Sequence, residues 1–521
     1  MWRDTEWLGW LIPVVYLLGV IVALRRRHAW PALTLAARAA LGFATCHLLA
    51  IGTELRSASA TVPLVAAVVM LLVAFLGWII AGYSRTSLAR EPGERRYVVA
   101  LLATLAAVTV VLTTENLLVL IAAWAASSVT VHQLLVFYRD RPLARIAARK
   151  KFLVSRVAEL CMLAATALLY HRWQTLDLDA LARLAGTRRV VPVSVDLAAA
   201  LIALAVLLKS AQLPVHGWLL EVMEAPTSVS ALLHAGIVNL GGYVLIRLAP
   251  LVTTSPAAQA ILVLVGSTTA VLAGLTTMTC PSIKTRLAWS TCSQMGLMVT
   301  ECGLGLYDLA LLHLLAHALY KAHAFLCSGE TVRQSAAKRM LPPAQVGAEG
   351  AGKLRPLIAA PLMLLVVAGS EALWHHVLHV PKIAGVAALI CAFGIATLLW
   401  ESGGSAALYL RNLGAAVLGV QLYLGWHAAI LSGLGVASVR PLQPLAAWTA
   451  LCFLLLYLAQ WGAGHRAHSA SIRRLFTWAA AGYFLDEPLT RLVTRRWSHR
   501  PARVVHSRTA HRLARQEGEA A

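Results

Sequence analysis

Apolar residues run in long blocks separated by short polar breaks. The blocks fall near 7–24, 31–52, 62–83, 98–114, 117–138, 152–170, 192–212, 226–250, 257–278, 286–303, 308–328, 356–374, 383–400, 406–434 and 443–464. At a rise of about 1.5 Å per residue, a helix of about 20 residues crosses the roughly 30 Å hydrocarbon core of a bilayer. The pattern therefore predicts an all-α polytopic membrane protein with about 13–15 transmembrane helices. The expected organisation is a set of N-terminal helices over 1–97, a core over 98–330, a polar loop over 331–353, C-terminal helices over 354–464 and a basic tail over 465–521. The first block has no basic segment before it and is followed by Arg25, Arg26 and Arg27, so it is expected to be a span and not a cleaved signal.

Composition sharpens this picture. Of the 521 residues, 59% are hydrophobic and 13% charged, more apolar surface than a soluble domain of that size would hide. The net charge of +22 raises nucleic acid as a ligand, but the placement of the charge argues against it. Basic residues cluster in alternate breaks: Arg25–Arg27, Arg85 to Arg96, Arg139 to Lys151, Lys284 and Arg286, Arg333 to Arg355, and the tail after Arg473. This is the positive-inside pattern, which puts the N-terminus outside, those loops and the C-terminus in the cytoplasm, and lipid around the chain. The loop near 171–191 is an exception, with Arg172, Arg183, Arg188 and Arg189 on the side expected to be outside. The eight Cys are single, with no CxxC pair, and read as small packing residues; no metal site is expected in this chain.

Two stretches carry titratable groups into this apolar setting. In LLKSAQLPVHGWLLEVMEAPTSVSALLHAGIVNLGGYVLIR (207–247), Lys209 ends an apolar run and Pro214 follows five residues later. Proline lacks the amide that would continue the helix, so a break is expected there. Glu221 and Glu224 come next, then His234 among small residues. Interrupted helices within membranes line polar cavities, where their freed backbone groups are satisfied. In HLLAHALYKAHAFLCSG (313–329), His313, His317 and Lys321 recur every fourth residue. Each step of four turns a helix by about 400°, so the three share one face. A charge at the centre of a membrane helix costs about 2.5–3.5 kcal/mol on insertion scales, so such a stripe is expected to line an interior polar path. His323 lies off that face and reads as a packing or interface residue.

These stretches, with SIKTRLAWSTCSQMG (282–296), resemble the antiporter-like subunits of respiratory complex I and of multisubunit sodium/proton antiporters in order and spacing. The resemblance implies two inverted five-helix repeats, each with a discontinuous helix and a proton half-channel. It makes Lys209 the broken-helix lysine, His234 the histidine of the next helix, Lys284 the central connecting lysine, and His313, His317 and Lys321 the onward relay. The family usually has a glutamate after a tryptophan in the fifth helix, whereas here Trp124 is followed by Ala125. Glu159, one turn after Arg156, is expected to pair with Lys209 instead, with Glu115 and His132 as weaker substitutes. A second broken helix usually carries a second lysine; here Glu371, His375 and His376 stand roughly in its place, and Lys382 comes too late. The long lateral helix of the largest complex I antiporter subunit has no counterpart after about 465. Among relatives the chain looks most like the DabB type, the bacterial inner-membrane subunit of an energy-coupled inorganic carbon pump. That resemblance implies a large DabA-type partner, similar to a zinc β-carbonic anhydrase, which would carry out the CO2 hydration; no cofactor is expected in this chain. Two alternatives are an antiporter or respiratory subunit of the same fold, and a non-conducting membrane anchor. The chain shows no GxSxG, HExxH or P-loop signature of a hydrolase or primary pump.

Overall fold

The computed structural model describes residues 3–54, 62–89, 91–186, 192–332, 355–400, 406–433, 441–465 and 469–496. Among the described residues the chain is helical, and the β-type pairing between Asn116 and Asp177 is an isolated bridge. The helices are α1 (Arg3–Arg25), α2 (Trp30–Glu54), α3 (Val62–Ser87), α4 (Glu94–Thr113), α5 (Leu117–Leu135), α6 (Pro142–Trp173), α7 (Leu178–Gly186), α8 (Val193–Lys209) and α9 (Gly217–Leu220). They continue as α10 (Thr227–Ala235), α11 (Leu240–Arg247), α12 (Ala249–Thr253), α13 (Pro256–Thr277), α14 (Ile283–Gly303) and α15 (Tyr307–Leu326). After the loop come α16 (Arg355–Leu378), α17 (Gly385–Ala396), α18 (Ala406–Gly433), α19 (Gln443–His465), α20 (Ala470–Ala480) and α21 (Glu487–Arg496).

Twelve of these segments are long and apolar enough to cross a membrane. The other predicted blocks are also helical. They are α8, cut to 17 residues by the break; α14, long but polar; and the short apolar stretch Gly385–Leu399. Helix is the form this sequence must take in lipid, because every backbone amide and carbonyl then finds a partner within its own segment. Two buried clusters result. The larger runs through α1 to α15, and the smaller joins the ends of α13 to α15 to α16, α17, α18 and α19.

The expected break near Glu371 and His375 is not present, since α16 runs unbroken from Arg355 to Leu378 even with Pro361 inside it. Pro361 falls in the helix's second turn, where it removes one i→i−4 hydrogen bond near the N-terminal end without ending the helix. The predicted break after Lys209 is present, and the span Thr227–Arg247 is also interrupted, by a 3-10 turn at Ile237–Asn239 between α10 and α11.

Helices α13 and α14 approach backbone to backbone. A Cβ on Gly296 would stand 2.6 Å from the Gly266 carbonyl oxygen and 2.7 Å from the Ala270 amide. Small residues permit such contacts where packing, and not the hydrophobic effect, drives helix association. Gly296→Leu is therefore expected to lower the yield of monodisperse protein and its melting temperature in detergent. Gly274→Ala, whose Cβ would meet Ser293 Oγ at 3.4 Å, is expected to be tolerated. Fluorescence-detected gel filtration with a thermal ramp checks both.

Contacts sort the helix ends into two faces. On one, Glu94 accepts from the Ala29 amide, Arg141 pairs with Glu224, Lys150 pairs with Glu221, and Lys284 donates to Thr227. On the other, Arg247 pairs with Asp179, Ser255 donates to Asp196, and Tyr307 meets Thr253. The first is the face of the basic loops, so the sidedness of the crossings agrees with the charge alternation. Arg183 and the Asp179–Arg247 pair lie on the second, where α7 caps the bundle.

Candidate functional site

Helix α8 stops at Lys209 because Ala211 enters the left-handed region (φ 53) and Pro214 has no amide to give. The irregular turn is satisfied by polar groups at membrane depth. The Leu213 amide donates to Thr269 Oγ1 at 3.2 Å, and Gln212 Nε2 donates to the Ser210 carbonyl at 2.9 Å. Lys209 Nζ lies 3.3 Å from Glu159 Oε1, 3.3 Å from the Trp124 carbonyl and 3.4 Å from Ser128 Oγ. Its ammonium also sits 4.4 Å from the centroid of the Trp124 ring. Arg156 Nη2 sits across the same carboxylate, donating to Oε1 at 2.8 Å and lying 2.8 Å from Oε2. The missing glutamate after Trp124 is thus replaced on the next helix, and Glu159 stands between a buried lysine and a half-exposed arginine. A carboxylate with two cationic partners can release one and keep the other. That is the chemistry a lysine needs to load and unload a proton.

The stripe on α15 faces inward. Lys321 is 0% exposed, and its Nζ donates to Ser290 Oγ at 2.8 Å and to the Leu287 carbonyl at 3.3 Å. Among the described residues no carboxylate pairs with it. His234, also fully buried, stacks on Phe325 of the same helix with centroids 4.4 Å apart. The rings of His313 and His317 are 5.9 Å apart. Both ring nitrogens of His234 and of His317 are buried without a protein hydrogen-bond partner. Buried polar atoms of this kind are normally served by internal water, so the interior of α10, α14 and α15 is chemically suited to a hydrated path. His323 is exposed, off the stripe.

Three acidic and histidine residues that sequence reasoning missed extend this line. His313 Nδ1 lies 3.0 Å from Glu301 Oε2 on α14. Asp308, in the first turn of α15, forms a short hydrogen bond with His427 of α18, and Trp426 Nε1 donates to the Asp308 carbonyl at 3.3 Å. A single carboxylate inside an apolar run was the available signal for Glu301 and for Asp308.

Several expected positions differ. Lys284 is not central: it is the second residue of α14, half-buried at the basic face, with Nζ 2.9 Å from Thr227 Oγ1. The helix begins at Ile283, which puts Lys284 in the first turn, and Lys321 takes the interior position. Glu224 pairs with Arg141 at 3.4 Å on the exposed rim, while Glu221 turns inward to Lys150 at 2.6 Å. Glu371 and His375 lie on the unbroken α16, and His375 Nδ1 faces the Val380 carbonyl at 3.0 Å. His132 meets the Ala148 carbonyl and not Lys209. Lys150 and Lys151 were missed because they end what reads as a cytoplasmic basic run; both are buried. Lys151 lines one small pocket with Trp124, Ser128, Lys209 and Trp218. Among the described residues, no group of three His, Cys, Asp or Glu is placed to hold a metal ion.

Comparison with known proteins places this geometry. A family model described as NADH:quinone oxidoreductase/Mrp antiporter, TM, matches residues 114–370. The chain is 37% identical over 515 residues to a protein of Hydrogenovibrio crunogenus named as a probable inorganic carbon transporter subunit DabB, covering 94% of this chain and 95% of that one. It is 35% identical over 446 residues to the similarly named DabB2 of Halothiobacillus neapolitanus, covering 83% and 79%. A chain of the Mrp complex from Dietzia sp. DQ12-45-1b shares the fold, with a TM-score of 0.56 at 22% identity over 98% of this chain and 59% of that one.

Proposed function

The chain belongs to the DabB family of inorganic carbon transporter subunits, and from that premise we propose that it conducts the cation, a proton, that energises carbon accumulation. The observation that carries this reading is the Lys209–Glu159 pair at the broken helix, continued by the buried His234, Lys321 and His317 and the partly buried His313. A proton reaching Lys209 restores its hold on Glu159 and a proton leaving weakens it, and the carboxylate is left with Arg156 when Lys209 is neutral. The line then leads along α15 to Glu301 and to the Asp308–His427 pair, which gives a way out toward α18 without a second broken-helix lysine. One charge moving through 100 mV releases about 2.3 kcal/mol. A tenfold concentration ratio requires about 1.4 kcal/mol, so one proton supports accumulation of tens-fold before losses.

The hydration chemistry belongs, in this proposal, to a DabA-type zinc partner, with the N-terminus of this chain outside the inner membrane. The partner is driven between states by proton movement in the membrane subunit, through differential contacts in each state. The test is gentle detergent purification of the tagged chain with mass spectrometry and zinc analysis. A large zinc-bearing partner is expected, together with carbon accumulation that collapses on addition of a protonophore. Copurification of quinone-reducing or antiporter subunits would favour the second reading, an antiporter-like subunit, to which the family model's description and the Mrp-like fold lend support.

A further inference from the structure

Below the broken helix, on the basic face, lies a buried ion cluster, one member of which comes from outside the stretches that carry the family resemblance. Lys150 of α6 is 0% exposed, with Nζ 2.6 Å from Glu221 Oε1 and 2.5 Å from Asp486 Oδ2. Glu221 follows α9, whereas Asp486 comes from the C-terminal segment, beyond the residues that the family model matches. That segment is built to deliver it. Gly482, Tyr483 and Phe484 are successive left-handed residues (φ 60, 55 and 56), a costly conformation that persists only where packing fixes it. Tyr483 donates to the Leu272 carbonyl at 3.2 Å, and Gly482 lies against the Trp289 ring. The Asp486 carboxylate then rests on Gly217, where a Cβ would come within 1.9 Å of it.

The cluster has unused hydrogen-bonding capacity around a cavity. One cation faces two carboxylates, and Glu221 Oε2 and Asp486 Oδ1 are buried without a hydrogen-bond partner. His216, 1% exposed, packs on Trp289 with ring centroids 4.8 Å apart, and its Nδ1 is likewise unpartnered. His216, Trp289 and Asp486 line a cavity of about 440 Å³ that also touches Glu487, Thr490 and Arg491. Orphaned donors and acceptors around a space of that size suit mobile water and an exchanging proton. The next residue on α6 points the other way: Lys151 lines the pocket that contains Lys209, with its Nζ 5.8 Å from the Trp218 ring. Adjacent residues of α6 thus face the two regions, Lys150 the carboxylate of Asp486 that lines the cavity and Lys151 the pocket at the broken helix.

We propose that Lys150, Glu221 and Asp486 form the basic-face port linking Lys209 to the cytoplasm, with Asp486 a working residue of the transport path supplied by the C-terminal segment. The proposal rests on the proton-conducting reading above. A proton leaving the Lys209 ammonium passes to the Lys151 amine, then to a carboxylate of the cluster, and from there to solvent. Each step exchanges one N–H or O–H bond for another, and nothing is oxidised or reduced. Lys150 keeps the two carboxylates oriented.

The test uses inverted membrane vesicles carrying the full complex, in which voltage-driven proton movement is measured across a series of outer pH values. The groups facing Asp486 are Lys150, Glu221, His216, Glu487 and Arg491. Positioned proton-transfer groups contribute about 10²–10⁴-fold in enzymes, and flanking water recovers part of that. Asp486→Asn is expected to slow proton movement roughly tenfold per inserted protein and to change its outer-pH profile, with Asp486→Glu recovering both. Glu221→Gln, which leaves the C-terminal segment intact, is expected to behave alike and serves if Asp486→Asn does not accumulate. A purely structural latch would lower thermal stability but leave the rate per inserted protein and its pH profile unchanged, and that result would overturn the port. Lys209→Ala separates the two readings. If it conducts like the wild type, conduction through the broken helix is wrong; if it is inactive while Asp486→Asn and Glu221→Gln are normal, only the port is wrong.

Discussion

Lys209→Ala is expected to abolish inorganic carbon accumulation while the chain still inserts and keeps its partners. The reasoning separates two effects of one substitution. Lys209 and Glu159 form a buried pair 3.3 Å apart, and removing one member leaves the other as an uncompensated charge. Breaking buried pairs costs about 3–5 kcal/mol, so Lys209→Ala and Glu159→Ala are each expected to lower the melting temperature. Arg156, which already holds Glu159 at 2.8 Å, softens the first loss but not the second. The double variant Lys209→Ala/Glu159→Ala removes both charges and is expected to regain stability relative to the single variants. Transport should not follow stability: all three variants are expected to lose it, because none retains both a proton carrier and the carboxylate that competes for it. A thermal ramp in detergent and a radiolabelled bicarbonate uptake assay read the two quantities independently. Wild-type uptake in the double variant would mean that the pair only holds α6 to α8, and would leave the chain as a membrane anchor.

Which parts of this arrangement could be read from the sequence follows from what each residue's neighbours say locally. Lys209 was half legible: a lysine ending an apolar block before a proline fits a side chain snorkelling to the interface as well as a working one, and the family resemblance decided between them. Glu159 was legible as the carboxylate on the next helix once Ala125 was seen to occupy the usual position. The stripe on α15 was legible from its spacing alone. Lys150 and Lys151 were not, because α6 is 32 residues long and its basic first half reads as a loop at the membrane surface. Tertiary packing buries them, with Gly217–Glu224 and the C-terminal segment laid against that half. Asp486 was hidden for a related reason. Residues after 465 are basic and not apolar enough to span, so nothing local shows that Ala470–Ala480 and Glu487–Arg496 fold into helices around a turn that returns a carboxylate to the core. The Asp308–His427 contact joins residues 119 apart in the chain, a pairing no local pattern encodes. Lys284 was misplaced because a motif fixes order and spacing but not where its helix begins.

Lys321→Met is expected to do the opposite of what a structural residue would do: preserve or raise stability while stopping transport. Lys321 is fully buried, and its ammonium rests on neutral acceptors, Ser290 Oγ and the Leu287 carbonyl. Methionine has similar length and volume and carries no charge to desolvate. Replacing buried charges by packed apolar side chains of like size is often neutral or stabilising by about 1–4 kcal/mol. Ser290 Oγ loses a donor, but its hydroxyl can still donate to a carbonyl of its own helix, so the group keeps a hydrogen bond. Transport depends on something methionine lacks. His234 stacks on Phe325 one turn from Lys321, and His317 lies one turn away on the other side, each with both ring nitrogens unpartnered. Between them Lys321 is the group able to hold a proton as a cation and to give it up, since no carboxylate among the described residues fixes it in the charged form. Uptake assays and thermal ramps on the same preparation decide the matter. Unchanged uptake would remove the α15 stripe from the path and leave conduction to another route from Lys209. A stable but inactive variant would mean that the lysine is kept at a cost to folding because the path needs its proton.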